Sequence, residues 1–177
     1  MWEKLDVFEV MKERRSIRDY TTEDVSDRDV CRLIEAALLA PSAGNEQPWE
    51  FVVVKNLETK RLLASAASGQ RFIEDAPVVI VVCADSAKAS KTYGGRGEKL
   101  YCLQDTAAAT QNMLLVATAL GLGTCWVGAF RENEVTRAIR APKDVKPVVI
   151  VPVGHPTKKQ SAPHRRPFED VVHYEAF

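Results

Sequence analysis

The residues whose types and spacing could bind an anion are concentrated in one short segment. It reads Arg14, Arg15, Ser16, Ile17, Arg18. Arginine binds phosphate through a planar set of N–H donors, and on an extended backbone Arg14, Ser16 and Arg18 point to the same side. A solvated basic turn is the commoner fate of such a run of charge. By itself the segment is therefore only a weak indication of a phosphate site.

Patterns for several other chemistries are absent from the sequence. Gly94-Gly95-Arg96-Gly97 lacks the Lys-Ser/Thr of a phosphate loop, and Gly121-Leu122-Gly123 lacks the third glycine and helix of a dinucleotide-binding turn. There is no G-x-S-x-G nucleophile motif. The three histidines are scattered and the four cysteines form no C-x-x-C pair. We therefore expect no metal site, and we expect the cysteines to be buried free thiols.

Charge and hydropathy limit the partners. The 177 residues carry a formal net charge of zero, with both signs interspersed, so we expect neither nucleic acid nor a membrane as a partner. The uncharged stretch 106–130 contains polar side chains and two glycines, which favours a buried helix followed by a strand. Residues 1–4 do not resemble a signal peptide, so a cytoplasmic protein is expected.

Hydrophobic periodicity predicts five helices and four strands in one domain spanning residues 1–177. The helices are expected at about 6–14, 26–40, 57–67, 100–120 and 132–139, and the strands at 49–54, 78–82, 124–127 and 148–153. The buried stripe of the second helix is predicted to be Val30, Leu33, Ile34, Ala37 and Leu38. The fourth helix is apolar nearly all round, so we expect the sheet on one face and a second subunit on the other. The glycine-rich segment 86–99 is predicted to be mobile surface chain.

A second motif strengthens the interpretation of the arginine segment as a phosphate site. Residues 40–49 read Ala40-Pro41-Ser42-Ala43-Gly44-Asn45-Glu46-Gln47-Pro48-Trp49. With the arginine segment, this loop resembles the nitroreductase family of FMN-dependent flavoproteins. The resemblance continues in the same order through Asp75-Ala76-Pro77, 111–115, 120–124, 152–156 and 165–172. It therefore covers nearly the whole chain.

The resemblance implies an α+β fold, with a mostly antiparallel central sheet flanked by helices, in an intertwined homodimer. It implies FMN as cofactor, NADH or NADPH as electron donor, and a small-molecule electron acceptor such as a nitroaromatic or quinone. The reaction would be two-electron hydride transfer via flavin N5. Flavin-processing or reductive dehalogenating chemistry on the same fold, or a non-catalytic flavin-binding or redox-sensing module, remain alternatives. Reductive dehalogenation would require a hydroxyl group near N5, and Thr124 could supply that hydroxyl.

The resemblance also implies roles for particular residues. Arg14 and Ser16 would hold the FMN phosphate and ribityl chain together with neighbouring Arg15, and Arg165 would close on the phosphate. Arg18 would lie near N1 and the C2 carbonyl. The residues that reach an FMN bound mainly by the other subunit would be Pro41, Ser42, Ala43 and Asn45. Gln70 would touch the isoalloxazine edge, and Val127 and Gly128 would offer backbone N–H groups near N5. Tyr93 and Tyr101 either stack on an aromatic acceptor or simply pack.

Overall fold

Residues 6–177 are described by a computed structural model of the chain. Residues 1–4, where the sequence shows no secretory signal, lie outside that range. The helices are α1 Val7–Glu13, α2 Asp27–Leu38, α3 Leu57–Ala66, α4 Phe72–Asp75, α5 Ser86–Arg96, α6 Cys102–Ala119 and α7 Glu132–Ile139. The strands are β1 Trp49–Val54, β2 Val78–Asp85, β3 Gly123–Thr124 and β4 Val145–Gly154. Short 3₁₀ turns occupy Ala43–Asn45 and Phe168–Asp170, and a π-helical turn occupies Gly97–Tyr101.

The four strands form one sheet in the order β1-β2-β4-β3, and every neighbouring pair is antiparallel. The apolar strand β2 lies inside the sheet and is buried on both faces. Ile80 and Val82 face a core cluster formed with α2 and α6, whereas Val79 and Val81 face a cluster formed with α3 and α7. This alternation is the period of a strand covered on both sides. The predicted α+β fold with an antiparallel sheet between helices is confirmed.

The predicted buried stripes are only partly correct. On α2, Val30, Leu33 and Ala37 are buried, but Leu38 is half exposed and Cys31 is also exposed. At 100° per residue these two positions fall outside the face that contacts the sheet layer. The other three cysteines are buried, and all four are free thiols. On α1 only Val10 is buried, while three large apolar side chains, Val7, Phe8 and Met11, are more than half exposed.

The uncharged stretch 106–130 forms most of α6 and then β3, as expected. The strand predicted over 124–127 is interrupted: β3 contains only two residues, and Val127 returns to the sheet as an isolated bridge to Ile150. One face of α6 is buried, but Leu103 on the other is 47% exposed. Within residues 6–177 we find no helix that is both long enough and apolar enough to cross a membrane.

The segment 86–99, expected to be mobile surface chain, is helical. Residues 86–96 form α5, whose first turn is capped when the Asp85 side chain accepts a hydrogen bond from the Lys88 N–H at 2.9 Å. Gly97 packs closely on the first half of α5, because a Cβ there would lie 2.2 Å from the Ala89 carbonyl oxygen. The segment lacks an amphipathic stripe, so its cap and its tertiary contacts, rather than periodicity, determine the helix.

Candidate functional site

The arginine segment pairs with the outer edge of the sheet. Arg14 is the C-cap of α1, and the Ile17 N–H donates to the Thr124 carbonyl of β3 at 2.8 Å. Ile17 is buried against Gly123, where a Cβ would lie 2.8 Å from the Ile17 side chain. Ser16 and Arg18 are exposed on either side of it. The edge pairing therefore turns both side chains away from the core, as expected of alternation along a strand.

A cleft of about 400 Å³ opens beside this segment. Its lining residues are Arg14, Arg15, Ser16, Arg18, Gln160, Ser161, Pro163 and Arg165. Four of them carry guanidinium groups and none carries a carboxylate, so the cleft is strongly positive. The first three arginines come from the segment after α1 and the fourth from the C-terminal tail. Such a cleft can hold an anion, and arginine is suited to bidentate binding of phosphate.

Arg15 has a different position from the other three arginines. Its Nη1 donates to the Lys12 carbonyl and, at 2.8 Å, to the Arg14 carbonyl, so it caps the C-terminal end of α1. Its Nε is buried without a hydrogen-bond partner among the described residues. A larger cleft of about 900 Å³ also includes Arg15 in its lining, where the carboxylates of Glu9 and Glu13 stand among Lys12, Lys158 and Lys159. An anion is therefore favoured in the smaller cleft.

The surroundings of Arg18 include residues that the sequence did not single out. Its guanidinium carbon lies 5.8 Å from the centroid of the Phe72 ring, within the range of a cation–π contact. Cys125 is buried next to the same guanidinium. Burial raises the pKa of the Cys125 thiol, and the nearby charges of Arg18 and Arg14 partly oppose that rise. Gln70, two residues before Phe72, donates from Nε2 to the Ala67 carbonyl at 2.9 Å.

The prediction for the backbone of Val127 needs correction. Its N–H donates to the Ile150 carbonyl at 3.0 Å, and the Ile150 N–H donates back at 2.9 Å. Because this donor completes the sheet, it is not available to a ligand. Gly128, the next residue, is exposed and keeps its candidate role. A periodic pattern could not show which of the two N–H groups the sheet uses.

The loop over 41–48 precedes β1 and has an unusual backbone. Gly44, Asn45 and Gln47 all have positive φ angles, of 56°, 58° and 50°. Left-handed conformations are unfavourable for residues with a side chain, so the surroundings must hold them. The Gln47 N–H donates to Ser42 Oγ at 2.9 Å, and the Ala43 N–H donates to Asp105 Oδ1 at 3.2 Å.

Helix α5 holds the same loop from outside. The Tyr93 hydroxyl packs so closely on Gly44 that a Cβ there would lie 2.4 Å from it. Thr92 Oγ1 donates to Glu46 Oε1 at 2.5 Å, and Lys88 Nζ donates to the Gln47 carbonyl at 3.2 Å. The segment that appeared featureless in sequence is thus the support of the loop. Tyr93 and Tyr101 contact each other edge to face at 5.3 Å between centroids.

Asp105, in the first turn of α6, is a further residue that the sequence analysis missed. It is 93% buried, since 7% of its surface is exposed, and its Oδ2 has no hydrogen-bond partner among the described residues. Burial raises the pKa of this carboxyl, and the hydrogen bond from the Ala43 N–H partly opposes that rise. Its position immediately before the uncharged stretch 106–130 was the available clue.

The structure does not bring the two groups of predicted residues together within one chain. The arginine segment pairs with β3, and the loop that contains Pro41, Ser42, Ala43 and Asn45 leads into β1. These are the outermost strands of the sheet. Three spacings of about 4.8 Å separate them, or about 14 Å across the sheet. The two regions therefore lie at opposite edges of the sheet in one chain.

Comparison with known proteins places this arrangement in a family. The sequence profile of the nitroreductase family matches residues 11–71 and 64–155. The FMN reductase [NAD(P)H] of Bacillus subtilis is 32% identical over 185 residues, covering 97% of this chain and 74% of its own length. A protein of Archaeoglobus fulgidus with the provisional name NADH dehydrogenase/NAD(P)H nitroreductase is 38% identical over 147 residues, or 81% of each chain.

Solved structures agree with the sequence comparison. The structure of NfrA2 from B. megaterium superposes with a TM-score of 0.90 at 30% identity, covering 97% of this chain and 74% of that one. The NADPH:FMN oxidoreductase of Vibrio harveyi, solved as a complex with NAD+, gives a TM-score of 0.89 at 26% identity, with coverage of 97% and 77%. The profile match and these likenesses show that the chain belongs to the nitroreductase family.

Proposed function

We propose that this protein is an FMN-dependent NAD(P)H oxidoreductase, built as one domain over residues 1–177. The observation that carries the proposal is the cleft in which Arg14, Arg15, Arg18 and Arg165 converge with Ser16 and no carboxylate. Relatives named as FMN reductases and NAD(P)H nitroreductases support the same cofactor and electron donor. The family match makes a flavin the natural anionic ligand of this cleft.

The residues of the cleft fit a nucleotide phosphate. Arg14 comes from the end of α1 and Arg165 from the tail, and Ser16 adds a hydroxyl to the same lining. The unpartnered Nε of Arg15 is a further donor close by. Several charge-assisted hydrogen bonds would therefore hold the phosphate. Arg18, at the Phe72 end of the cleft, is the residue we assign to the N1 and C2 carbonyl region.

A bound FMN would supply the redox chemistry, a two-electron hydride transfer via N5 from the nicotinamide to the acceptor. The protein itself would bind and orient the FMN and adjust its reduction potential. Arg18 provides a fixed positive charge, which favours the extra negative charge that a flavin carries near N1 when it is reduced. Gly128 is exposed, and we assign its backbone N–H to the N5 region. Gln70, next to Phe72, is assigned to the edge of the ring system.

We also propose that the active form is a homodimer. The loop of Pro41, Ser42, Ala43 and Asn45 lies at the opposite edge of the sheet from the arginine cleft of its own chain, so it would complete the cleft of a second copy. Exposed apolar side chains on α1, on α6 and along the tail support a large apolar interface. They include Phe8, Met11, Leu103, Phe168 and Tyr174.

The proposed acceptors are small oxidised molecules such as nitroaromatics and quinones. Reductive dehalogenation would need a hydroxyl near N5, but Thr124 is buried and its backbone is paired with the arginine segment, so this alternative gains no support. Three buried free thiols and the use of NADH or NADPH favour a cytoplasmic location.

The decisive experiment has two steps. Flavin released by heat from the purified protein should run as FMN on chromatography; FAD as the main species would overturn the cofactor assignment. The protein is then mixed without oxygen with NADH or NADPH, followed by a panel of nitroaromatics and quinones. Rapid bleaching and reoxidation of the flavin absorbance are expected. A protein that binds FMN yet oxidises NAD(P)H no faster than free flavin would instead be a sensor or storage module.

A further inference from the structure

The position of the Arg18 guanidinium is restricted by its neighbours, although the residue is exposed. A long arginine side chain at a surface samples many rotamers, and its charge is then spread over a wide volume. Here the guanidinium lies over the Phe72 ring at 5.8 Å from the centroid. The attraction between a cation and the negative face of an aromatic ring favours that one placement.

Phe72 is itself held firmly. It is the first residue of α4, a short helix fixed by hydrogen bonds from the Glu74 and Asp75 N–H groups to the Arg71 carbonyl, at 2.8 and 3.1 Å. Its ring is partly buried and packs against the core cluster between α3, α7 and the sheet. One edge is thus anchored in the core while a face remains available to Arg18.

The other groups around Arg18 do not offer a competing ion pair. Cys125 is buried, and the Tyr20 hydroxyl donates to the Ile17 carbonyl at 2.7 Å. The remaining charged neighbours in the cleft are Arg14, Arg15 and Arg165, which repel Arg18 rather than attract it. Phe72 is therefore the aromatic neighbour that attracts the guanidinium to this side of the cleft, beside the buried Cys125 side chain.

We propose that Phe72 is a positioning residue, which holds the Arg18 guanidinium at the flavin end of the cleft and thereby raises the reduction potential of the bound flavin. The inference rests on the proposed function, because it requires a flavin in the cleft. A fixed charge stabilises the reduced flavin more than a charge that moves between the cleft and solvent. The effect on FMN affinity is expected to be small, because Arg14 and Arg165 are assigned to the phosphate.

The test is a double-mutant cycle on the FMN-loaded protein, with the midpoint potential as the readout. Phe72→Leu keeps an apolar side chain but removes the ring, and it should lower the potential by part of the shift produced by Arg18→Ala. In the Arg18→Ala background, Phe72→Leu should produce no further shift. Phe72→Tyr retains the ring and should retain the potential. The FMN dissociation constant should change less than twofold in Phe72→Leu.

Two controls separate positioning from general damage. Phe51→Leu removes an aromatic ring at the far edge of the sheet and should leave the potential unchanged. Phe72→Met replaces Phe72→Leu if the latter does not fold. An unchanged potential in both Phe72→Leu and Phe72→Met, or an equal shift with and without Arg18, overturns the inference. A wild-type protein that binds no FMN overturns the proposed function instead.

Discussion

The arginine cleft and the 41–48 loop, the two regions that contain predicted site residues, differ in how their parts are held. In the cleft, four guanidinium groups lie together with no carboxylate in the lining, and three of them belong to exposed or partly exposed side chains of one short segment. In the loop, left-handed backbone is held by Asp105 and by Tyr93, Thr92 and Lys88 of α5.

The difference reflects what each region must bind. Repulsion among the guanidinium groups destabilises the empty cleft. Part of the stability of this region should therefore come from the bound anion. The loop carries no comparable charge and is already fixed by its own chain. A preformed loop loses little conformational entropy when it docks on a second subunit. We therefore expect ligand-dependent stability at the cleft and ligand-independent stability at the loop.

The largest effect should follow from Arg14→Ala. Loss of a charge-assisted hydrogen bond to phosphate costs about 2–3 kcal/mol, which weakens FMN binding about 30- to 150-fold. Fluorescence titration of the apoprotein with FMN measures this, and Arg28→Ala, an exposed arginine on α2, is the matched control. An apoprotein that melts at the same temperature as the wild type would confirm that the cleft is ordered by its ligand. Unchanged FMN affinity would remove Arg14 from the site.

Gly44→Ala should destabilise the 41–48 loop and leave the arginine cleft unchanged. The new Cβ would meet the Tyr93 hydroxyl at 2.4 Å, on a backbone with φ of 56°. Strain and displacement together should cost about 2 kcal/mol of folding free energy in the apoprotein as well as the holoprotein. Denaturant unfolding measures the loss, and sedimentation should show a weaker dimer.

Gly95→Ala is the matched control for the loop, because a Cβ there meets nothing within 4 Å and its φ is not positive. It should be neutral or slightly stabilising. Tyr93→Phe should restore part of the stability of Gly44→Ala by removing the oxygen that the new Cβ meets. If FMN fully rescued Gly44→Ala, the proposed contrast between the two regions would be wrong.

Arg18→Ala and Arg165→Ala distinguish the two roles assigned to arginines within the cleft. Arg18→Ala should lower the flavin midpoint potential by about 20 mV, equivalent to about 1 kcal/mol for a two-electron couple. Arg165→Ala should weaken FMN binding and leave the potential nearly unchanged, because the phosphate charge does not change on reduction. Dye-equilibration titrations measure the potential, and fluorescence titration of the apoprotein measures FMN binding. The reverse result would mean that the two roles are assigned the wrong way round.

The smallest effect should come from Asp105→Asn. Burial raises the pKa of Asp105 in the folded protein, so stability contributed by the protonated form is lost as pH rises from the unfolded-state pKa through the folded-state pKa. Asparagine keeps an oxygen that can accept from the Ala43 N–H but does not ionise. The stability of the variant relative to wild type should therefore increase with pH across that window, by a fraction of the Gly44 effect. Parallel pH curves from urea unfolding would contradict this.

Much of the fold could be predicted because its patterns are local. The periodicity over 6–14 and 26–40 indicated the helices α1 and α2, and the strand expected at 78–82 is the first part of β2. The alternation of Arg14, Ser16 and Arg18 indicated three side chains on one side, and all three line the same cleft. These features depend on neighbours in sequence, which is why the sequence alone was enough for them.

The tertiary structure decided which groups are free and which are used. Three contacts depend on residues that are distant in sequence. The Val127 N–H donates to Ile150, Tyr93 of α5 supports the 41–48 loop, and Phe72 contacts Arg18. The exposure of Leu38 and Cys31 likewise depends on which face of α2 meets the sheet layer. The sequence by itself determined the family, the sheet between helices and the arginine cluster. The separation of that cluster from the 41–48 loop followed from strand order, because β1 and β3 become opposite edges only when β2 and β4 pair between them.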